Sequence, residues 1–441
     1  MNDRTRRPNI MLITFDDMVA FWRYKSIFGE TLQTPNLDRI CGQSTAFHAA
    51  YCQSPICSPS RASFMSGQTP HQSGMTLPKM DMFALVPPDR MWPHALKQAG
   101  YYTSSGGKII LGYVPLEDDV HAVLYCDKPK SFRIDWKVPR EISTGLGGFR
   151  GGRATDDPKH DDRYYDFQSS RSAIRFLNAY QGDQPFYREV GFYGPHGPWI
   201  TPRRFKDMYD DTQFVMPRKW QEGCVANAFF DKVSKQNFED MPMEYWQRSV
   251  RNYFSAISHV DHHLGRVWDA LKASRHADNT IVIIASDHGL HVGDRNRFRK
   301  HTLWEQVANV PLIVHTPDQQ VGRVVTDPVA LLDIGPTVMD FAGLPALQEC
   351  VGRSLRPLCQ GASDPQRAVL TVRGNNAAVR TGQYRFIRYE DGSTEMYDIV
   401  NDWWQTRNLG PDHPDHADCQ AAHAACCAEY GLSLGSVTCA A

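Results

Sequence analysis

Two runs in this chain set acidic and imidazole groups directly behind continuous apolar segments. Asn9-Ile10-Met11-Leu12-Ile13-Thr14-Phe15 leads into Asp16-Asp17, and Thr280-Ile281-Val282-Ile283-Ile284-Ala285 leads into Ser286-Asp287-His288-Gly289. Neighbouring carboxylates raise each other's pKa, so such a pair is costly unless a cation holds it. Asp16, Asp17 and Asp287 are hard oxygen donors of the kind calcium and magnesium take. The imidazole of His288 extends the range to manganese. A third run, Cys57-Ser58-Pro59-Ser60-Arg61, joins a thiol, a proline and a guanidinium at fixed spacing.

The two apolar runs read as central strands of a parallel sheet covered by helices on both faces. Ligands in such sheets gather at the carboxyl ends of strands, where both acidic runs lie. Thr34 to Ile40 opens a helix with Pro35 in its first turn. Trp92 to Tyr101 reads as a short helix stopped at Gly100, and the strand from Tyr102 delivers Lys108 behind Gly106-Gly107. No Gly-x-x-x-x-Gly-Lys-Ser/Thr phosphate loop surrounds that lysine. A strand at 185–192 ends in the proline-rich turn 194–202, which holds His196 and Trp199 rigidly. Residues 249–273 form an amphipathic helix. Its polar group His259, Asp261, His262 and His263 is expected at the surface or behind the site rather than on a metal. Lys300 follows Asp287 by thirteen residues, ahead of a strand at 310–314. A helix covers 331–343. Beyond Ala368 short alternating strands with a turn at Asp391-Gly392 predict a small antiparallel sheet. The expected organisation is an α/β catalytic domain over 1–360 and an antiparallel-sheet subdomain with a helical, cysteine-containing tail over 361–441.

At 441 residues the chain exceeds a typical domain, and 41% hydrophobic with 22% charged residues is an ordinary globular composition. A formal net charge of -1 gives no general reason to expect nucleic acid or an anionic membrane as partner. No stretch approaches the roughly 20 apolar residues of a spanning helix. The N-terminal run is too short for a signal segment with a cleavage site, so the expectation is a cytoplasmic protein. Eleven cysteines, an odd number, fit free thiols in a reducing compartment. Cys419, Cys426 and Cys427 with His423 lack paired Cys-x-x-Cys spacing, and helix packing or an oligomer contact is the better reading than zinc.

The Cys57-x-Pro59-x-Arg61 segment resembles the signature of the type I sulfatases, within the alkaline-phosphatase-like superfamily. The order Asp16-Asp17, Thr34-Pro35-Asn36-Leu37-Asp38, Cys57, Lys108, Pro195-His196-x-Pro198-Trp199, Asp287-His288, Lys300 and Gly352-Arg353 is similar to that family from Asn9 to about Leu409. Iduronate-sulfatase-like and bacterial arylsulfatase members are nearest in motif. The resemblance implies a mostly parallel central sheet and a metal, usually calcium, at Asp16, Asp17, Asp287, His288 and residue 57. It implies that Cys57 is oxidised to formylglycine by a transiently bound formylglycine-generating enzyme. Hydration of that aldehyde would give the nucleophile. Arg61 would orient it, Lys108 and Lys300 would bind sulfate, and His196, with Lys300, would protonate the leaving oxygen. The varied region 112–185 would line the substrate mouth. Relatives carry a histidine two or three residues after the first lysine, where this chain has Ile110 and Leu111, so His301, another histidine or water is expected to stand in.

The expected substrate is a small sulfate monoester, aryl, alkyl or sugar, with Trp199 and Phe298 as aromatic walls, and self-association is left open. Two rival readings of the sequence remain. One is a phosphonate monoester or phosphodiester hydrolase of the same superfamily, and the other is a non-catalytic relative that binds sulfated ligands.

Overall fold

The computed structural model describes residues 7–110, 115–130, 132, 147–151, 154–155, 157–221, 238 and 241–432. Leu111 and all of 133–146 lie outside them.

Among the described residues seven strands make the main sheet: β1 Asn9–Phe15, β2 Thr45–Phe47, β3 Tyr102–Ser104, β4 Phe186–Gly191, β5 Thr280–Ser286, β6 Leu312–His315 and β7 Arg323–Val325. Their order across the sheet is β7-β2-β6-β5-β1-β4-β3. β1 runs parallel to both β4 and β5, and β3 is parallel to β4. β6 is antiparallel to β5 and to β2. The expected strand at 310–314 is split. Pro311 donates no N–H to a ladder, and Asn309–Val310 pairs with Ala50–Tyr51 in a separate small sheet while Leu312 onward joins the main one.

Alternation along β1 sends its side chains to two cores. Met11, Ile13 and Phe15 pack beneath a 30-residue helix, Met243–Lys272, through Val250, Tyr253, Ile257, Val260 and Leu264. Ile10 and Leu12 face Phe64, Met65, Trp92 and Val338 on the other side. Phe64 and Met65 belong to α1, Cys57–Ser66, whose first residue is Cys57. α2, Tyr165–Ala179, packs beside the long helix, here α3.

The polar groups expected on the outside of α3 are mostly inside. His259, Asp261 and His263 are buried, and His262 alone is exposed. Asp261 accepts from Leu37 N at 2.7 Å, Asn36 N at 3.1 Å and Asn36 Nδ2 at 2.9 Å. It thus satisfies the free N–H groups opening the helix Pro35–Cys41. His259 and His263 meet Nε2 to Nε2 at 3.1 Å. Arg266 Nη1 donates to His263 Nδ1 at 3.2 Å, so His263 carries its proton on Nε2 and gives it to His259. Burial, then neighbouring cationic and imidazole groups, lowers both pKa values well below the usual histidine range. The unfolded chain therefore binds protons that the folded one refuses. Stability is full above about pH 6.5 and is lost as pH falls, by up to about 1.4 kcal/mol per pH unit for each group. Replacing His263 by leucine is expected to flatten the pH dependence of urea unfolding between about pH 6.5 and 5.

Beyond the main sheet, Val369–Arg373, Asn376–Arg380, Tyr384–Arg388 and Thr394–Asp398 form the expected antiparallel meander. The tail helix His416–Glu429 lies on it, with Cys426 and Cys427 buried and His423 Nε2 donating to Ala377 O at 3.1 Å. The meander also reaches the segment ahead of α1, where Val372 N donates to Gln53 O and Thr371 Oγ1 to Cys52 O.

Candidate active site

Because β1, β3, β4 and β5 point the same way, their carboxyl ends open on one edge of the sheet. The register Phe15 to Ser286 and Thr14 to Gly191 sets Asp16-Asp17, Asp287-His288 and the 193–200 turn side by side. Lys108 joins them through a close backbone approach. Gly107 pairs with Gly191 at a φ of 100°, and a Cβ there would stand 1.9 Å from Gly191 O. No other residue type allows that contact.

Position 57 is the centre. Cys57 Sγ receives Lys300 Nζ at 3.0 Å, faces His288 Nε2 at 3.2 Å and lies 3.4 Å from Asp16 Oδ1. Lys300 Nζ also binds Asp17 Oδ1 at 2.7 Å, and Lys108 Nζ pairs with Asp16 Oδ2. His196 Nε2 is 3.9 Å from Asp17 Oδ2. Donor atoms of Asp16, Cys57, Asp287 and His288 all lie within 4.8 Å of one another, as do those of Asp16, Asp17, Cys57 and His196. His288 Nδ1 is 3.0 Å from Gly289 O. A carbonyl only accepts, so Nδ1 holds the proton and the Nε2 lone pair faces the cluster.

Charge is organised as closely as distance. Burial opposes ionisation of Asp16 and Asp17. Lys108, His196, Lys300 and Arg61 outweigh it at Asp16, and Lys300, His196 and His288 outweigh it at Asp17, so both carboxyls are lowered. The Cys57 thiol is pushed up to about 12, first by burial and then by Asp16.

Each Arg61 nitrogen bonds within the protein. Nε donates to Asp287 Oδ2 at 2.9 Å, Nη1 to the carbonyls of Lys108 and Ile109, and Nη2 to Phe15 O, with the side chain fully buried. It ties together the ends of β1 and β5 and the Lys108 loop.

Trp199, expected as a substrate wall, is 2% exposed, and so is Phe298. The Trp199 indole donates to Pro195 O at 2.7 Å and its ring packs on Tyr253, Phe149 and Phe298. It supports the turn carrying His196 from beneath, because a large apolar ring there is worth more under the turn than against water. Trp199→Ala is expected to cost about 3 to 5 kcal/mol in denaturant unfolding, with KM changing less than about threefold. His301 is half-buried at a φ of 74°, its N–H donating to Pro55 O at 3.1 Å. Its pKa is lowered to about 3, by burial and then by Arg373 and Lys300.

Several supporting groups carry no distinctive signal in the sequence. Tyr253 OH donates to Asp17 O at 2.6 Å and accepts from Val19 N, although its helical spacing signals only a core residue. Asp166, at the start of α2, accepts from Tyr193 N at 2.6 Å and Gly194 N at 3.1 Å, holding the His196 turn. Ser60 Oγ caps Asp287 O at 2.6 Å.

A family model described as Sulfatase matches residues 8–344. The chain belongs to the sulfatase family. A second model, N-sulphoglucosamine sulphohydrolase, C-terminal, matches residues 293–424. The sulfatase is 30% identical to a protein named Sulfatase from Formosa agariphila, over 90% of this chain and 82% of that one. It is 28% identical to a choline-sulfatase of Rhizobium meliloti, over 92% and 83%. The crystal structure of a phosphonate monoester hydrolase of Agrobacterium radiobacter superposes with a TM-score of 0.76 at 18% identity, covering 96% of each chain. That likeness shows the alkaline-phosphatase-like fold, which both activities share. The sequence relationships decide between them, and this sulfatase is a hydrolase of sulfate esters. No helix among its described residues is long and apolar enough to cross a membrane.

Proposed function

We propose that residue 57, as formylglycine, is the nucleophile toward a small sulfate monoester, and that a divalent cation sits beside it. The observation that carries this reading is the convergence of Asp16, Asp17, Asp287, His288, Lys108 and Lys300 on the first residue of α1. A helix N-terminus favours the anion that the reaction puts there. Since Ser60 and Arg61 are buried, a formylglycine-generating enzyme must reach the segment before the chain closes over it.

The donor set suits the cation. Three carboxylates, Asp16, Asp17 and Asp287, already balance Lys108, Lys300 and Arg61. Asp16, Asp17, Asp287, His288 and residue 57 would hold a divalent ion, which would leave the pocket net positive and supply charge neutralisation of sulfate oxygens. Oxygen donors favour calcium, with magnesium or manganese as alternatives.

Hydrated formylglycine offers one hydroxyl to attack sulfur and a second whose deprotonation lets sulfate depart. Around it, Lys108 and Lys300 hold sulfate oxygens, and Arg61 keeps the strand ends and the Lys108 loop in register. His196 protonates the leaving alcohol oxygen from Nε2. Its Nδ1 faces Tyr193 OH at 3.4 Å, and Tyr193 OH in turn donates to Gly197 O, which fixes the ring. His301, which burial keeps neutral, another histidine or water takes the proton of the second hydroxyl. Free thiols at Cys41, Cys52, Cys419, Cys426 and Cys427 support a reducing, cytoplasmic setting.

The test is turnover of an aryl sulfate against an aryl phosphonate ester by the same metal-loaded preparation. A sulfate preference of about 100-fold or more in kcat/KM is expected. Preference for the phosphonate ester overturns the reading.

A further inference from the structure

Between His288 and Lys300 the chain folds back on itself. His291 N donates to Arg299 O and Gly293 N to Arg297 O, each at 2.8 Å. Three buried side chains, His291, Asp294 and Thr302, meet along this fold-back. His291 Nδ1 lies 2.6 Å from Asp294 Oδ2, and His291 Nε2 lies 2.6 Å from Thr302 Oγ1. Asp294 Oδ1 accepts from Val292 N at 3.1 Å. A carboxylate only accepts, so His291 Nδ1 carries the proton and Nε2 accepts from the Thr302 hydroxyl.

The order Asp, His, Thr is that of a hydrolase triad. Thr302, however, is 0% exposed, and the Trp304 ring lies 5.8 Å across from His291. No substrate reaches the hydroxyl, so the array acts on the chain itself. Thr302 is two residues beyond Lys300, with His301 between them in the left-handed region at φ 74°. A side-chain-bearing residue holds that conformation only where its surroundings enforce it. The surroundings here are the His301 N–H bond to Pro55 O on one side and the Thr302 bond to His291 on the other. Lysine has a long flexible stem, so holding its ammonium at 2.7 Å from Asp17 and 3.0 Å from Cys57 depends on a fixed backbone.

We propose that Asp294, His291 and Thr302 form a positioning relay that sets Lys300 against Asp17 and residue 57. The proposal rests on Lys300 acting on the sulfate side of the reaction. The test is a double-mutant cycle in the full-length, metal-loaded enzyme, combining His291→Leu or the near-isosteric Thr302→Val with Lys300→Ala. Each relay variant is expected to lower kcat/KM about 10- to 100-fold in the Lys300 background and less than about threefold in the Lys300→Ala background. Thr302→Ser, which keeps the hydroxyl, is expected to stay within about threefold of the parent. Thr302→Val carries the cycle if His291→Leu fails to fold. Equal losses in both backgrounds, with Lys300→Ala itself impaired, overturn the relay alone. A fully active Lys300→Ala overturns the relay together with the reading of Lys300.

Discussion

Cys57→Ala is expected to lower kcat/KM on an aryl sulfate by about 10⁴-fold or more, with little change in unfolding free energy. Residue 57 touches Lys300, His288 and Asp16 and is only partly shielded from solvent. Truncating it removes the reacting atom and leaves the cluster around it paired: Lys300 keeps Asp17, and Lys108 keeps Asp16. Steady-state turnover together with urea unfolding checks both halves. A variant that retains turnover within about tenfold moves the nucleophile elsewhere.

Asp287→Ala is expected to damage activity and stability together. Asp287 accepts from Arg61 Nε at 2.9 Å, Asp17 N at 3.2 Å and His288 N at 2.9 Å, all within the buried end of the sheet. Removing one partner of a buried ion pair costs about 3 to 5 kcal/mol, because the remaining charge stays desolvated. Here the stranded group is Arg61, whose other bonds organise Phe15 and the Lys108 loop. Metal content per chain, read by elemental analysis, is expected to fall with activity, while Asp287→Asn, which keeps size and loses charge, recovers part of the stability. Full metal content with full activity in Asp287→Ala would remove Asp287 from the site.

The strand ends were legible because a buried parallel strand is a continuous apolar run, and a charged group directly after one is costly enough to need a reason. The glycines before Lys108 were legible as a pair, but the cause, contact with Gly191, lies 84 residues away. Arg61 shows the limit. Its type and spacing are visible, whereas its direction is set by Asp287 and by carbonyls of Phe15, Lys108 and Ile109. Trp199 and Phe298 misled for a related reason, since an aromatic ring in a loop reads alike whether it faces water or the core. Asp261, His259 and His263 sit on a helix whose periodicity predicts one apolar face. Burial of the opposite side comes from the Pro35–Cys41 helix and from Tyr164 and Phe205, which local spacing does not carry.

The most direct test of the account is the mass of the proteolytic peptide containing residue 57, taken from protein that is turning over a sulfate ester. The expected result is a loss of about 18 Da relative to the encoded cysteine, localised to residue 57 by fragmentation, as oxidation of the thiol to an aldehyde requires. Fully active enzyme with an unmodified thiol at Cys57 would contradict it.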